Sequence, residues 1–161
     1  MGKKLDIEET LSKWVPILII VPPSIVDNWS KELDKWGHFV FKTFRQDKSE
    51  VIKSIKFGLT EILVCGKSFF SMDKFDEICS IRWKLIVVDE FHEYKNSATT
   101  AAIGLEELRN SSRCPVIGMT GTLMQNKHKE LWNLVDLIQP GLLGSWNEFR
   151  VHIVKALKLA R

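Results

Sequence analysis

Four short runs of aliphatic and β-branched residues, Ile17–Val21, Ile62–Cys65, Leu85–Val88 and Val116–Met119, limit what this chain can become. A strand with one wet face would alternate apolar and polar residues; these runs do not, so each predicts a strand buried on both sides. Helical patterns lie between and beyond them. Ser24 caps a stretch that places Ile25, Val26, Trp29, Leu33 and Trp36 on one face, and residues 127–138 repeat Leu131, Leu134, Val135 and Ile138. Strands alternating with helices across short Pro, Gly, Ser and Asn connections predict a parallel sheet covered by helices on both faces, a three-layer α/β sandwich. Right-handed crossovers bring the carboxyl ends of such strands to one edge, so the residues just after each strand are where chemistry is expected.

With 161 residues, 45% of them hydrophobic, the chain can build one sizeable core. No run approaches the roughly 18 apolar residues of a membrane helix, and no apolar segment of signal type follows Met1-Gly2-Lys3-Lys4, which predicts a soluble intracellular protein with no membrane partner. Cys65, Cys79 and Cys114 are odd in number and widely spaced, so they read as reduced, mostly buried thiols. A net charge of +3 permits contact with phosphate backbones without demonstrating it. Residues 1–16 form a polar leader, 17–150 the lobe itself, and 151–161 the start of a connection to whatever follows.

The most informative segment is Leu85-Ile86-Val87-Val88-Asp89-Glu90-Phe91-His92, a buried strand ending in two carboxylates and a histidine. It has the form of a Walker B strand. An aspartate there can hold magnesium through water, because hard oxygen ligands suit that ion, and the next carboxylate can orient and deprotonate an attacking water. Successive strand residues point to opposite faces, so Asp89 and Glu90 can divide these roles only if the chain already turns at that point. The plainer alternative is an Asp-Glu pair that merely ends a strand and opens a polar loop.

A second segment, Val116-Ile117-Gly118-Met119-Thr120-Gly121-Thr122-Leu123-Met124-Gln125-Asn126, is again an apolar strand leading into small and amide-bearing residues. Together with Asp89-Glu90-Phe91-His92 it resembles motifs II (DEAH-like) and III of the Swi/Snf-type DNA-dependent ATPases of helicase superfamily two. The third motif of that family usually reads Thr-Gly-Thr-Pro-Leu-Gln-Asn, from which only Leu123 and Met124 depart. Val21-Pro22-Pro23-Ser24-Ile25-Val26-Asp27-Asn28-Trp29, with Glu32 and Trp36, resembles motif Ia. Lys95-Asn96 and the tail Glu130-Leu131-Trp132-Asn133-Leu134, Pro140 to Gly144 and Phe149 continue the pattern, so the resemblance covers about 17–149. The run Glu32–Gly37 and the acidic Asp6-Ile7-Glu8-Glu9 most resemble the Cockayne-syndrome-B-like repair branch.

The resemblance implies the first RecA-like lobe of a motor that uses ATP and magnesium to move on double-stranded DNA, in the nucleus, alongside chromatin or repair and transcription proteins. It implies that Asp89 binds magnesium through water, that Glu90 is the general base, and that His92 links the nucleotide to motif III (Thr120, Gly121, Thr122, Gln125, Asn126) through Gln125 or its neighbours. It also implies DNA contacts from Pro22, Pro23 and Ser24, from Lys67 and Ser68 where many relatives carry a Thr-Thr-Tyr-type segment, and from Lys95 and Asn96. Plainer roles stand beside these: Ser24 as an ordinary helix cap, His92 as a loop cap, Trp29 and Trp36 as core anchors.

The largest departure is that no Gly-x-x-x-x-Gly-Lys-Ser/Thr occurs in the 161 residues. Gly66-Lys67-Ser68 has the right ending, but Glu61 stands at the first glycine and Ile62–Cys65 read as strand where a bare turn of amides is required. Met1-Gly2-Lys3-Lys4 lacks both the glycine spacing and the hydroxyl. The expectation is therefore a piece of a motor whose phosphate loop lies upstream and whose second lobe, with its arginine finger, lies downstream; alone, the piece would be monomeric and inactive. A degenerate lobe kept as a non-hydrolytic binding module is the alternative. An unrelated hydrolase built on Asp89, Glu90 and His92 has no nucleophile-and-base spacing to support it.

Overall fold

The computed structural model describes residues 15–45, 47–123 and 127–159. In chain order these form β1 (Ile17–Val21), a 3₁₀ turn (Pro23–Ile25), α1 (Val26–Trp36), β2 (Phe41–Thr43), α2 (Lys48–Lys56) and β3 (Ile62–Gly66). A 3₁₀ turn (Lys67–Ser71), α3 (Phe75–Cys79), β4 (Leu85–Val88), a further 3₁₀ turn (Phe91–Tyr94), α4 (Thr100–Ser112) and β5 (Val116–Gly118) follow. The chain continues with α5 (His128–Ile138), α6 (Trp146–Phe149), a π-helical turn (Arg150–Val154) and α7 (Lys155–Leu159).

The strands make one sheet in the order β2-β3-β1-β4-β5, parallel at every pairing. Ile20 lies opposite Cys65 on one side and Val88 on the other, and Val88 opposite Gly118. This register brings the residues after β1, β3, β4 and β5 out at one level, as parallel strands require.

One face of the sheet buries Leu18, Ile20, Leu63, Cys65, Ile86, Val88 and Val116 against Phe69, Phe91, Tyr94, Leu105, Leu108 and Leu134, the main core. The opposite face packs Ile19, Val21, Ile62 and Val64 on Val26, Trp29 and Leu33 of α1. The period-two side-chain alternation of β1 and β3 thus feeds two cores, which is why those runs have no polar position. Arg109 of α4 donates to the Leu137 carbonyl at 2.9 Å and the Asp136 carbonyl at 3.2 Å, satisfying carbonyls that the end of α5 leaves without helical partners.

Three sequence expectations are corrected. Ile117 is 48% exposed, so β5 is not buried on both sides: among the described residues α1 is the helix that supplies the second core, and it covers β1 and β3 rather than β5. Trp36 is 73% exposed and donates its indole N–H to Glu32 within its own helix, so it is no core anchor. Ser24 caps nothing. The Pro23–Ile25 turn closes by Ile25 N–H to the Pro22 carbonyl at 3.1 Å, and neither that turn nor α1 has a side-chain cap. The three cysteines are free as expected, but only Cys65 is fully buried, and burial pushes its thiol pKa well above the usual range.

Candidate active site

At the carboxyl edge, β4 hands over to the predicted catalytic residues. Asp89 still holds the sheet, donating its N–H to the Ile20 carbonyl at 2.8 Å, and Phe91 N–H reaches the Met119 carbonyl at 2.8 Å. Between them Glu90 lies in the left-handed region (φ 48°, ψ 46°). A non-glycine residue there costs free energy, and the two flanking hydrogen bonds hold it in place. The strand alternation is therefore broken at Glu90, the turn that separate roles for the two carboxylates demand.

The Asp89 carboxylate is held at both oxygens. Oδ1 accepts the Glu90 N–H at 2.8 Å, and Oδ2 accepts the indole N–H of Trp29 from α1 at 2.9 Å. Each carboxylate oxygen has two acceptor sites, so one per oxygen remains for other donors. Glu90, about half-exposed, places Oε2 3.2 Å from His92 Nδ1. His92 Nδ1 lies 3.0 Å from Thr120 Oγ1. Thr120 has a single hydroxyl hydrogen, which goes to the Thr122 carbonyl at 3.3 Å, while its oxygen accepts Thr122 N–H at 3.1 Å. Nδ1 thus lies within reach of both the Glu90 carboxylate and the Thr120 hydroxyl, and a hydrogen on Nδ1 can serve either of these acceptors.

Motif II and motif III thus meet at His92 and Thr120. Gln125 and Asn126, expected to take part, lie outside the described residues, as does Met124. Gly121 and Thr122 are exposed at the rim.

The donor chemistry fits magnesium and not a caged metal. Among the described residues no group of three or more His, Cys, Asp or Glu side chains converges. Asp89 offers hard oxygen with free acceptor capacity, which suits an ion that keeps its waters and takes its other ligands from phosphates.

The residues expected at DNA separate into two sets. Pro23 and Ser68 line one depression of about 110 Å³ together with Gly66, Val26, Phe44 and Arg45. A Cβ on Gly66 would meet the Pro23 Cα at 3.4 Å, ordinary van der Waals contact, so the β1 turn lies directly against the end of β3. Lys67 leaves this group by pairing with Glu93. Lys95 and Asn96 lie elsewhere: the Lys95 carbonyl accepts from Asn133 at 2.8 Å, its ammonium is 3.8 Å from Glu130, and Asn96 Oδ1 accepts Ala98 N–H at 3.1 Å in an Asx-type turn.

Two residues at this edge escaped the sequence reading. Trp29 sits on the apolar stripe of α1, which correctly predicts that it packs but says nothing of the aspartate 60 positions away that its N–H finds. Arg45 follows the three-residue strand β2, which has no apolar run to announce it; its guanidinium donates to Asp27 at 2.7 Å and to the Pro23 carbonyl at 3.0 Å.

An all-parallel α/β sheet with a carboxylate pair after one strand and a Thr-Gly-Thr turn after its neighbour defines a RecA-like lobe of helicase superfamily two. Within that class a profile of the SNF2-related domain matches residues 3–158, and the chain belongs to this family. It is 34% identical over 149 residues to Switch 2 of Arabidopsis thaliana, covering 91% of this chain and 17% of that protein. It is 36% identical over 140 residues to DNA excision repair protein ERCC-6-like 2 of Mus musculus, covering 86% and 8%. The solved Sulfolobus solfataricus SWI2/SNF2 ATPase core in complex with dsDNA superposes with TM-score 0.73 at 32% identity, covering 94% of this chain and 31% of that one. The chain therefore spans less than a third of the length of each of these proteins.

Proposed function

We propose that this lobe is the carboxylate half of an ATP hydrolysis site in a motor that moves on double-stranded DNA. The reading rests on one observation: at the end of β4 the left-handed turn at Glu90 separates two adjacent carboxylates, one braced at both oxygens and the other about half-exposed beside His92. Asp89 would hold magnesium through water, and Glu90 would take a proton from the attacking water. The ion, arriving with the nucleotide, would neutralise charge on the phosphates. His92 and Thr120 would pass the state of the nucleotide to motif III.

DNA would lie across the Pro22–Ser24 turn and the Gly66–Ser68 segment, with Arg45 drawn from Asp27 to a phosphate. Membership of the SNF2-related family and the duplex bound by the Sulfolobus relative support duplex DNA as the partner. The phosphate loop and the second lobe would come from the rest of a longer parent protein, so the 161 residues alone would not turn over ATP.

The test compares ATP turnover, with and without duplex DNA, for this chain, for the parent protein spanning both lobes, and for its Glu90→Gln variant. DNA-stimulated turnover is expected only in the parent, and Glu90→Gln should reduce it at least about a hundredfold while nucleotide still binds. Retained turnover in Glu90→Gln would remove Glu90 as the base. No turnover in a folded parent would make the lobe a binding module.

A further inference from the structure

We propose that Trp29 is a positioning residue that relays DNA contact at the β1–α1 turn to the Asp89 carboxylate. This rests on the reading above that the turn meets DNA and that Asp89 serves the nucleotide site.

The connection is short and stiff. Ile25 closes the Pro22–Ile25 turn and begins the handover to α1, and Trp29 stands four residues later, one helical turn along. Its ring packs with Ile25 and Leu33 on the cluster formed by Ile19, Val21 and Val64, so the indole moves with the helix and not independently of it. Its N–H then makes a hydrogen bond from α1 to the residue that follows β4, 2.9 Å from Asp89 Oδ2. Arg45 grips the other end of the same helix start, through the Pro23 carbonyl and Asp27.

An indole N–H is a donor only, so it can hold the ionised carboxylate but cannot exchange a proton with it. With Oδ1 pinned by the Glu90 backbone N–H, a displacement of Trp29 rotates the carboxylate about that fixed point, re-aiming the acceptor sites left for magnesium-bound water. A phosphate that draws Arg45 away from Asp27 releases the start of α1, and the helix carries the change to Trp29. By reciprocity, a ligand that fixes Asp89 biases the turn toward or away from DNA.

The experiment is carbon-13 NMR of the Asp89 carboxyl in this chain during titration with a short DNA duplex, for the wild type and for Trp29→Phe, which keeps a ring and removes the N–H. The Asp89 signal should move as duplex binds in the wild type and lose that movement in Trp29→Phe, while signals of the Pro22–Ser24 turn still respond to the duplex in both proteins. A purely structural Trp29 would not separate these two readouts. Equal movement in both proteins overturns the relay. A flat titration with no duplex bound overturns it together with the DNA reading, and is recognised because no protein signal responds.

Should Trp29→Phe fail to fold, Asp89→Ala cuts the link from the other side. Exchange of the Trp29 indole hydrogen should then accelerate about tenfold or more, as loss of a hydrogen bond to a charged group implies. The Trp83 indole, bonded to the Ile78 carbonyl at 3.0 Å, serves as the unchanged control. Unchanged Trp29 exchange overturns the relay.

Discussion

Glu90 and Arg113 are the two described non-glycine residues with positive φ, at 48° and 51°, one at the end of a strand and the other at the end of a helix. Arg113 ends α4 with its N–H on the Arg109 carbonyl at 2.9 Å, a position where glycine is ordinarily favoured. Glu90 ends a strand instead, where its own N–H braces Asp89. Replacing either by glycine relieves the left-handed strain and adds flexibility to the unfolded chain, for a net gain of up to about 1 kcal/mol. Urea unfolding of Glu90→Gly and Arg113→Gly should show similar stabilisation, and in the parent protein only Glu90→Gly should abolish turnover. A destabilised Glu90→Gly would show that the glutamate side chain, and not function, selects the residue there. That Asp89, Glu90 and His92 follow the end of β4 was legible because a buried apolar run ending in carboxylates is a pattern in sequence. Trp29 was not, because a tryptophan on an apolar stripe looks the same whether or not its N–H finds an acid.

At the scale of elements, β5 illustrates how a strand carries a site. A Cβ at Gly118 would sit 2.4 Å from Phe91 Cδ1 and 3.0 Å from Ile138 Cδ1. Phe91 is 1% exposed and stacks on Tyr94 with ring centroids 5.8 Å apart, so it has nowhere to retreat. Gly118→Ala should therefore displace the turn that carries His92, destabilising the chain by about 1–3 kcal/mol. Chemical denaturation measures this, and weakening of the His92–Thr120 contact should accompany it in imidazole spectra; wild-type stability would mean that the Phe91 turn is softer than its burial implies. The runs behind β1, β3 and β4 were readable because each strand is lined by apolar residues at every position. β2 was not: three residues long, with Lys42 at its centre and half-buried throughout, it takes its strand character from pairing with β3. The helix α1 was legible, but its capping was not, since a proline-led 3₁₀ turn replaces the serine cap.

Across the whole molecule, the parallel sheet gathers the ends of its strands at one edge, where Asp89, Thr120, Pro23, Ser68 and Arg45 lie on segments that follow five different strands. If about three phosphates are neutralised there, duplex affinity should fall roughly 40-fold between about 50 and 200 mM salt. Fluorescence anisotropy across that range checks this, and a slope near zero would remove the phosphate contacts. The sequence by itself determined the alternation of strands and helices, the parallel sheet, and the residues that follow β4 and β5, because side-chain hydrophobicity and backbone period are local properties. Only the tertiary structure decided that Trp29 holds Asp89, that His92 meets Thr120, that Lys67 is taken up by Glu93 while Arg45 binds Asp27 and the Pro23 carbonyl, and that Ile117 is left half-exposed. Those outcomes depend on which surfaces the crossovers bring within hydrogen-bond reach, and a hydrogen bond between residues 60 positions apart leaves no local trace in either segment.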